Sequence, residues 1–160
     1  MKLQASVLAA TVAIAAATLV SAAAAQGVSE RKFLTLDGAK QIASAANAEA
    51  VKNKWNVVIA IVDEGGQLVY LEKIDNTQSA SVDIAIGKAR TAAQFRRPTK
   101  AMEDAVAGGR NVVMTFPGIV PVQGGLPLKA GDTFIGAIGV SGVASAQDEQ
   151  VAKAGVDALK

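Results

Sequence analysis

A mixed α/β domain of the α+β kind, with helices packed on a largely antiparallel sheet, is the fold class that the sequence predicts, and three observations predict it. Apolar residues recur at helical spacing across 36–54, 79–95 and 146–159. Runs rich in β-branched residues at 56–63, 68–74 and 133–141 read as strands. Glycine-bearing turns join most of the strand runs, and such links are too short for the crossovers of a parallel sheet.

Residues 1–25 open with Met1-Lys2, stay uncharged and apolar or small from Leu3 to Val20, and end in Ser21-Ala22-Ala23-Ala24-Ala25. This is the pattern of a signal peptide with a small-residue cleavage site, so cleavage is expected before Gln26 and the mature protein is expected to be periplasmic or secreted. The stretch is long enough to span a bilayer, but alanine is only weakly lipophilic and a cleavage site follows, which favours removal over a retained anchor. Residues 26–160 then form one domain of common size, and 26–34 read as a polar, basic lead-in.

Thr35 is placed to cap a first helix over 36–54, on which Leu36, Ala39, Ile42, Ala43, Ala46 and Ala50 form the apolar face. The run Asn56 to Asp63 is too continuously apolar for a strand with one wet face, so both faces should be covered. Glu64-Gly65-Gly66-Gln67 turns the chain, with Asp63 closing the turn, and Leu68 to Ile74 returns as a second strand. A helix follows from Ser79 to Phe95, with small residues predominating on its apolar surface. Pro98 interrupts it, and Thr99 can cap a short helix from Lys100 to Ala107 that Gly108-Gly109 ends. Val112 to Phe116 reads either as a short strand or as an extended approach to Pro117-Gly118. Ile119 to Gln123 and Leu126 to Leu128 flank Gly124-Gly125 as a second hairpin, with Pro121 and Pro127 arguing for edge positions. Thr133 to Ser141 is a buried final strand, where Gly136 and Gly139 leave room for another backbone or a ligand. Ser145 can cap a last helix from Ala146 to Leu159.

Composition narrows the chemistry. The whole chain carries +2, of which Lys2 belongs to the leader, and it has no concentrated basic face beyond Arg96-Arg97 and Lys100, so no nucleic-acid partner is expected. With no cysteine, stability has to come from packing or subunit association. With no histidine, the chain lacks the usual metal ligand, the usual general base at neutral pH and every Ser-His or Cys-His pair. No self-sufficient catalytic constellation is present.

Four blocks carry a family resemblance: Val58 to Gly66; Lys88-Ala89-Arg90-Thr91-Ala92 with Phe95-Arg96-Arg97-Pro98-Thr99; Gly124-Gly125-Leu126-Pro127; and Gly136 to Gly142 with Gln147-Asp148-Glu149. Together they resemble the GlcG/HbpS-type haem-degrading family, whose domain also forms the C-terminus of PduO-type corrinoid adenosyltransferases. The match runs from about Leu36 to Leu159. The resemblance implies a profilin-like or PAS-like sandwich with an antiparallel sheet of about five strands, often assembled as a homo-oligomer. It further implies binding of haem or a corrinoid, a haem-degrading activity in one branch, and a membrane sensor protein as partner. Fold follows from membership more firmly than function does.

Ligation of haem iron usually falls to His, Cys, Met or Tyr, which leaves Met102, Met114 and Tyr70 in the mature chain. Thr99 matches the family's Arg-Pro-Ser/Thr block, and the resemblance implies a threonine as an iron contact in the haem-binding branch, so Thr99 and Met102 are the weak metal candidates, a neutral hydroxyl being a poor ligand. Arg96 and Arg97 can pair with propionates, because a guanidinium fork matches a carboxylate. Lys88 can hold an anion, and Gly124 and Gly125 can bring backbone close to a ligand. Each has a simpler role open to it. The arginines stand at a helix end, Lys88 can be a solvated surface lysine, Gly124-Gly125 can turn a hairpin, and Asp148-Glu149 can serve the dipole of the last helix rather than act as acid and base.

Overall fold

The computed structural model describes residues 29–159. The expected signal peptide lies outside the described residues, among which no helix is long and apolar enough to cross a membrane. The elements are α1 (Leu36–Asn53), β1 (Val58–Asp63), β2 (Leu68–Lys73), α2 (Ser81–Phe95), α3 (Lys100–Ala107), a 3-10 turn at Asn111–Thr115, β3 (Gly125–Ala130), β4 (Thr133–Ser141) and α4 (Ser145–Asp157). The strands form one antiparallel sheet in the order β2-β1-β4-β3.

Alternation along β1 divides the interior into two layers, because successive side chains leave a strand on opposite faces. Val57, Ile59 and Ile61 join Ile138, Val140 and Val151 in the layer under α1 and α4. Val58, Ala60 and Val62 point the other way, toward Ala85, Ala89 and Ala92 of α2. Both faces of β1 are therefore covered, as its unbroken apolar run predicts. The hydroxyl of Thr35 accepts the Gly38 N–H at 3.1 Å and caps α1. Asp63 closes the β1–β2 turn by accepting the Gly65 and Gln67 N–H groups, while Gly66 takes φ +80°.

The small-residue stripe of α2 lets its backbone lie directly on the sheet. A Cβ added at Gly139 would stand 2.2 Å from the Ala85 carbonyl oxygen and 2.4 Å from the Ala89 nitrogen. The opening left by Gly139 is thus filled by a helix backbone.

Four expectations are corrected. The described residues form four strands rather than about five: Asn111–Thr115 winds into a 3-10 turn, and 119–123 stays irregular. Pro117 and Pro121 withhold two backbone donors from any ladder there. Gly124-Gly125 does not turn a hairpin, since Gly125 already pairs with Gly139 and the chain reverses at Gly131-Asp132 between β3 and β4. Thr99 precedes α3 without capping it through its side chain. Ser145 lies inside α4 rather than before it, and the Gln147 side chain accepts the Ala144 N–H. Pro127 does lie on an edge strand, as expected.

Gly139→Ala is expected to destabilise the domain by about 3 kcal/mol, because the added methyl meets backbone on a rigid helix. Urea unfolding measures this, and wild-type stability would contradict the backbone contact.

Candidate functional site

Four of the residues singled out by sequence, Lys88, Thr99, Gly124 and Gly125, converge on the crossing of α2, α4 and the start of β3, where they form a dry corner. Lys88 falls on the same stripe of α2 as Ala85, Ala89 and Ala92 and is only 1% exposed. An ammonium held there has to meet an anion, and Asp148 supplies it: Lys88 Nζ lies 2.8 Å from Asp148 Oδ2 and donates to the Val140 carbonyl at 3.0 Å. The other carboxylate oxygen accepts the Val143 N–H at 3.2 Å. Burial pushes the Asp148 carboxyl above its ordinary value, opposed by Lys88 and by the Val143 and Gly142 amides.

Gly124 passes over this pair at φ +122°, and a Cβ there would stand 2.9 Å from Asp148 Cβ and 3.0 Å from Lys88 Nζ. Its carbonyl accepts the Val140 N–H at 3.0 Å. Gly125 follows in an equally tight place, where a Cβ would lie 2.5 Å from the Lys88 carbonyl oxygen and 2.6 Å from Thr99 Cγ2. Thr99, at 0% exposure, clasps Gly125 from both sides. Its Oγ1 accepts the Gly125 N–H, and its own N–H donates to the Gly125 carbonyl, both at 2.9 Å.

Lys88, Thr99, Gly124 and Gly125 are therefore brought together, while the two arginines sit apart from them and diverge. Lys88 is not a solvated surface lysine, and Asp148 is its counter-ion rather than a partner of the helix dipole alone. Arg96 ends α2 in the left-handed region at φ 50°, with its guanidinium 5.2 Å from the centre of the Phe134 ring. Arg97 lies 5.6 Å over Phe95, which stacks on Phe116 with ring centres 6.0 Å apart. Such contacts orient a guanidinium without neutralising it.

Arg97 also lines a cleft of about 150 Å³ between α3 and the 3-10 turn, together with Met102, Arg110, Val113 and Phe116. Met102, the second metal candidate, is 3% exposed in its floor. The Thr99 hydroxyl is occupied by Gly125 and sealed from solvent. No three His, Cys, Asp or Glu side chains group to hold a metal ion among the described residues.

Sequence reasoning missed the Lys88–Asp148 pair and Arg110. The pair was legible in principle, since a lysine on an otherwise small apolar stripe is buried and needs an acid. Arg110 carried no signal, because only the return of the chain after Gly108-Gly109 brings it to the cleft that Arg97 lines.

Residues 34–157 match the family described as haem degrading protein HbpS-like, and the chain belongs to that family. Protein GlcG of Escherichia coli K12 is 44% identical over 109 residues, covering 68% of this chain and 81% of GlcG. Among solved structures, a double mutant of HbpS from Streptomyces reticuli superposes with a TM-score of 0.78 at 31% identity, over 87% of this chain and 95% of that one. A crystal structure of PduOC in complex with heme gives 0.72 at 26% identity, over 79% and 95%. The likeness to the GlcG/HbpS proteins and to PduO-type domains read from the four sequence blocks holds.

Lys88→Met is expected to cost about 3–5 kcal/mol, because it strands a buried carboxylate. The double variant Lys88→Met/Asp148→Leu should be less destabilised than the sum of the two single changes by about 2 kcal/mol. Denaturant unfolding of the four proteins measures this coupling, and strict additivity would contradict a direct interaction.

Proposed function

We propose that this chain is an exported protein that binds haem or a related tetrapyrrole, with a corrinoid as the alternative, and works as a homo-oligomer. The observation that carries the reading is that PduOC, which shares the fold, is known as a heme complex. Membership of a family described by haem degradation supports it.

The residues present fit a tetrapyrrole held by its periphery. Axial ligation has few means: the chain has no His or Cys, the Thr99 hydroxyl is engaged, and Met114 is exposed outside the cleft lining. Met102 is a thioether buried in the floor of a cleft of about 150 Å³, which admits a side arm but no macrocycle. Arg96 over the Phe134 ring, and Arg97 over Phe95 with Phe116 stacked on it, offer charge for propionates. The buried corner of Lys88, Thr99, Gly124 and Gly125 contributes by holding that surface in place, since the Lys88 ammonium, the Thr99 hydroxyl and the Gly125 amide are already paired inside the protein.

A bound haem supplies the oxidative chemistry of its own breakdown, which is the second reading and one that the family's description favours. The protein's part would be to orient the macrocycle.

One titration tests both readings. Haemin added to protein from the periplasmic fraction, whose intact mass should begin at Gln26, is expected to give a shifted, saturable Soret band. On adding ascorbate in air, that band should fade faster than for free haemin and release iron if the chain degrades its ligand, and persist if it only binds. Absence of any saturable band would remove haem from the account.

A further inference from the structure

The cleft between α3 and the 3-10 turn holds two guanidinium groups, and they are short of anions. Arg97 and Arg110 both line it, and neither forms an ion pair with an acidic side chain among the described residues. The acids of α3 are engaged elsewhere. Asp104 pairs with Lys100, and Glu103 accepts the Gln123 N–H at 2.7 Å. Both arginines are exposed, so water screens their mutual repulsion, and what the cleft offers an entering anion is two cations on one lining.

The floor is apolar, made by Met102, Val113 and Phe116. Its volume of about 150 Å³ is well below the ~300–1,000 Å³ of pockets that enclose a drug-sized ligand, so it can take a side arm but not a macrocycle. Beside it, Val112 and Met114 of the 3-10 turn are 55% and 58% exposed, apolar surface against which a larger body can rest. The planar fork of arginine suits a carboxylate at the mouth of such a cleft.

We infer that this cleft is a carboxylate site, in which Arg97 and Arg110 together bind a carboxylate carried on a short apolar stem, and that Arg110 is a specificity-determining residue. The stem can belong to the propionate arm of a tetrapyrrole, which rests on the function proposed above, or to a free aliphatic carboxylate.

The test titrates haemin, haemin dimethyl ester and hexanoate into the wild-type protein and into Arg110→Gln and Arg97→Gln, with thermal melting to confirm that the variants fold. Loss of a charge-assisted contact should weaken binding by at least about tenfold. If haemin binds, both the ester and the Arg110→Gln variant should show that loss, which supports the site with a propionate as occupant. If haemin does not bind but hexanoate saturates the wild type and not Arg110→Gln, the site stands with a free carboxylate and the tetrapyrrole reading falls. If haemin binds and either the ester or Arg110→Gln matches wild-type haemin binding, the inference is overturned while haem binding stands. If neither haemin nor hexanoate binds, both are overturned.

Discussion

A lysine ammonium shut away from water dictates what may surround it, and Lys88 is the constraint on which this domain turns. Its charge is met by Asp148 on another helix and by the Val140 carbonyl on the central sheet, so one side chain ties α2, α4 and β4 together. Burying two charges gains little net stability even when they pair well, because desolvation offsets most of the attraction. What the pair supplies is definition. Either partner alone would be a buried, unanswered charge, so the three elements have to meet in one arrangement.

From that arrangement the neighbouring geometry follows. Gly124 crosses close over Lys88 Nζ and Asp148 Cβ, where any side chain would collide. Gly125 is then carried into the grip of Thr99, and Thr99 fixes the start of α3 through its carbonyl, which accepts the Met102 and Glu103 N–H groups. Met102 is in this way set into the cleft that Arg97 and Arg110 line. The dry corner and the charged cleft are thus mechanically continuous but chemically distinct. The first has its ammonium, carboxylate and hydroxyl paired internally, whereas the second carries guanidinium groups that lack acidic partners among the described residues.

Much of the fold was legible in the residues. Helical spacing found α1, α2 and α4, β-branched runs found β1, β2 and β4, and Thr99 and Gly108-Gly109 bounded α3, while β3 was read only as one arm of a hairpin that does not form. The unbroken apolar run of β1 announced a strand covered on both faces, and Gly139 marked a close backbone approach. Errors came where local signals were weak or doubled. Paired glycines at 124–125 read as a turn because turns are their commonest use, yet here the contact with Lys88 and Asp148 excludes side chains. Lys88 read as a solvated lysine because most are, although its small-residue neighbours on the helix stripe pointed inward. The cleft was half visible: the Arg96-Arg97 pair stood out in the chain, but their divergence onto Phe134 and Phe95 and the contribution of Arg110 depend on tertiary placement that no local pattern encodes.

Amide hydrogen exchange at Gly125 tests the central claim most directly, because its N–H is held by the Thr99 hydroxyl at the point where the buried pair, β3 and α3 meet. If the corner is the fixed reference of the fold, this amide should exchange only through global unfolding, with protection equal to that of the β1 and β4 core amides. Exchange by local opening, at rates well above those core amides, would contradict it.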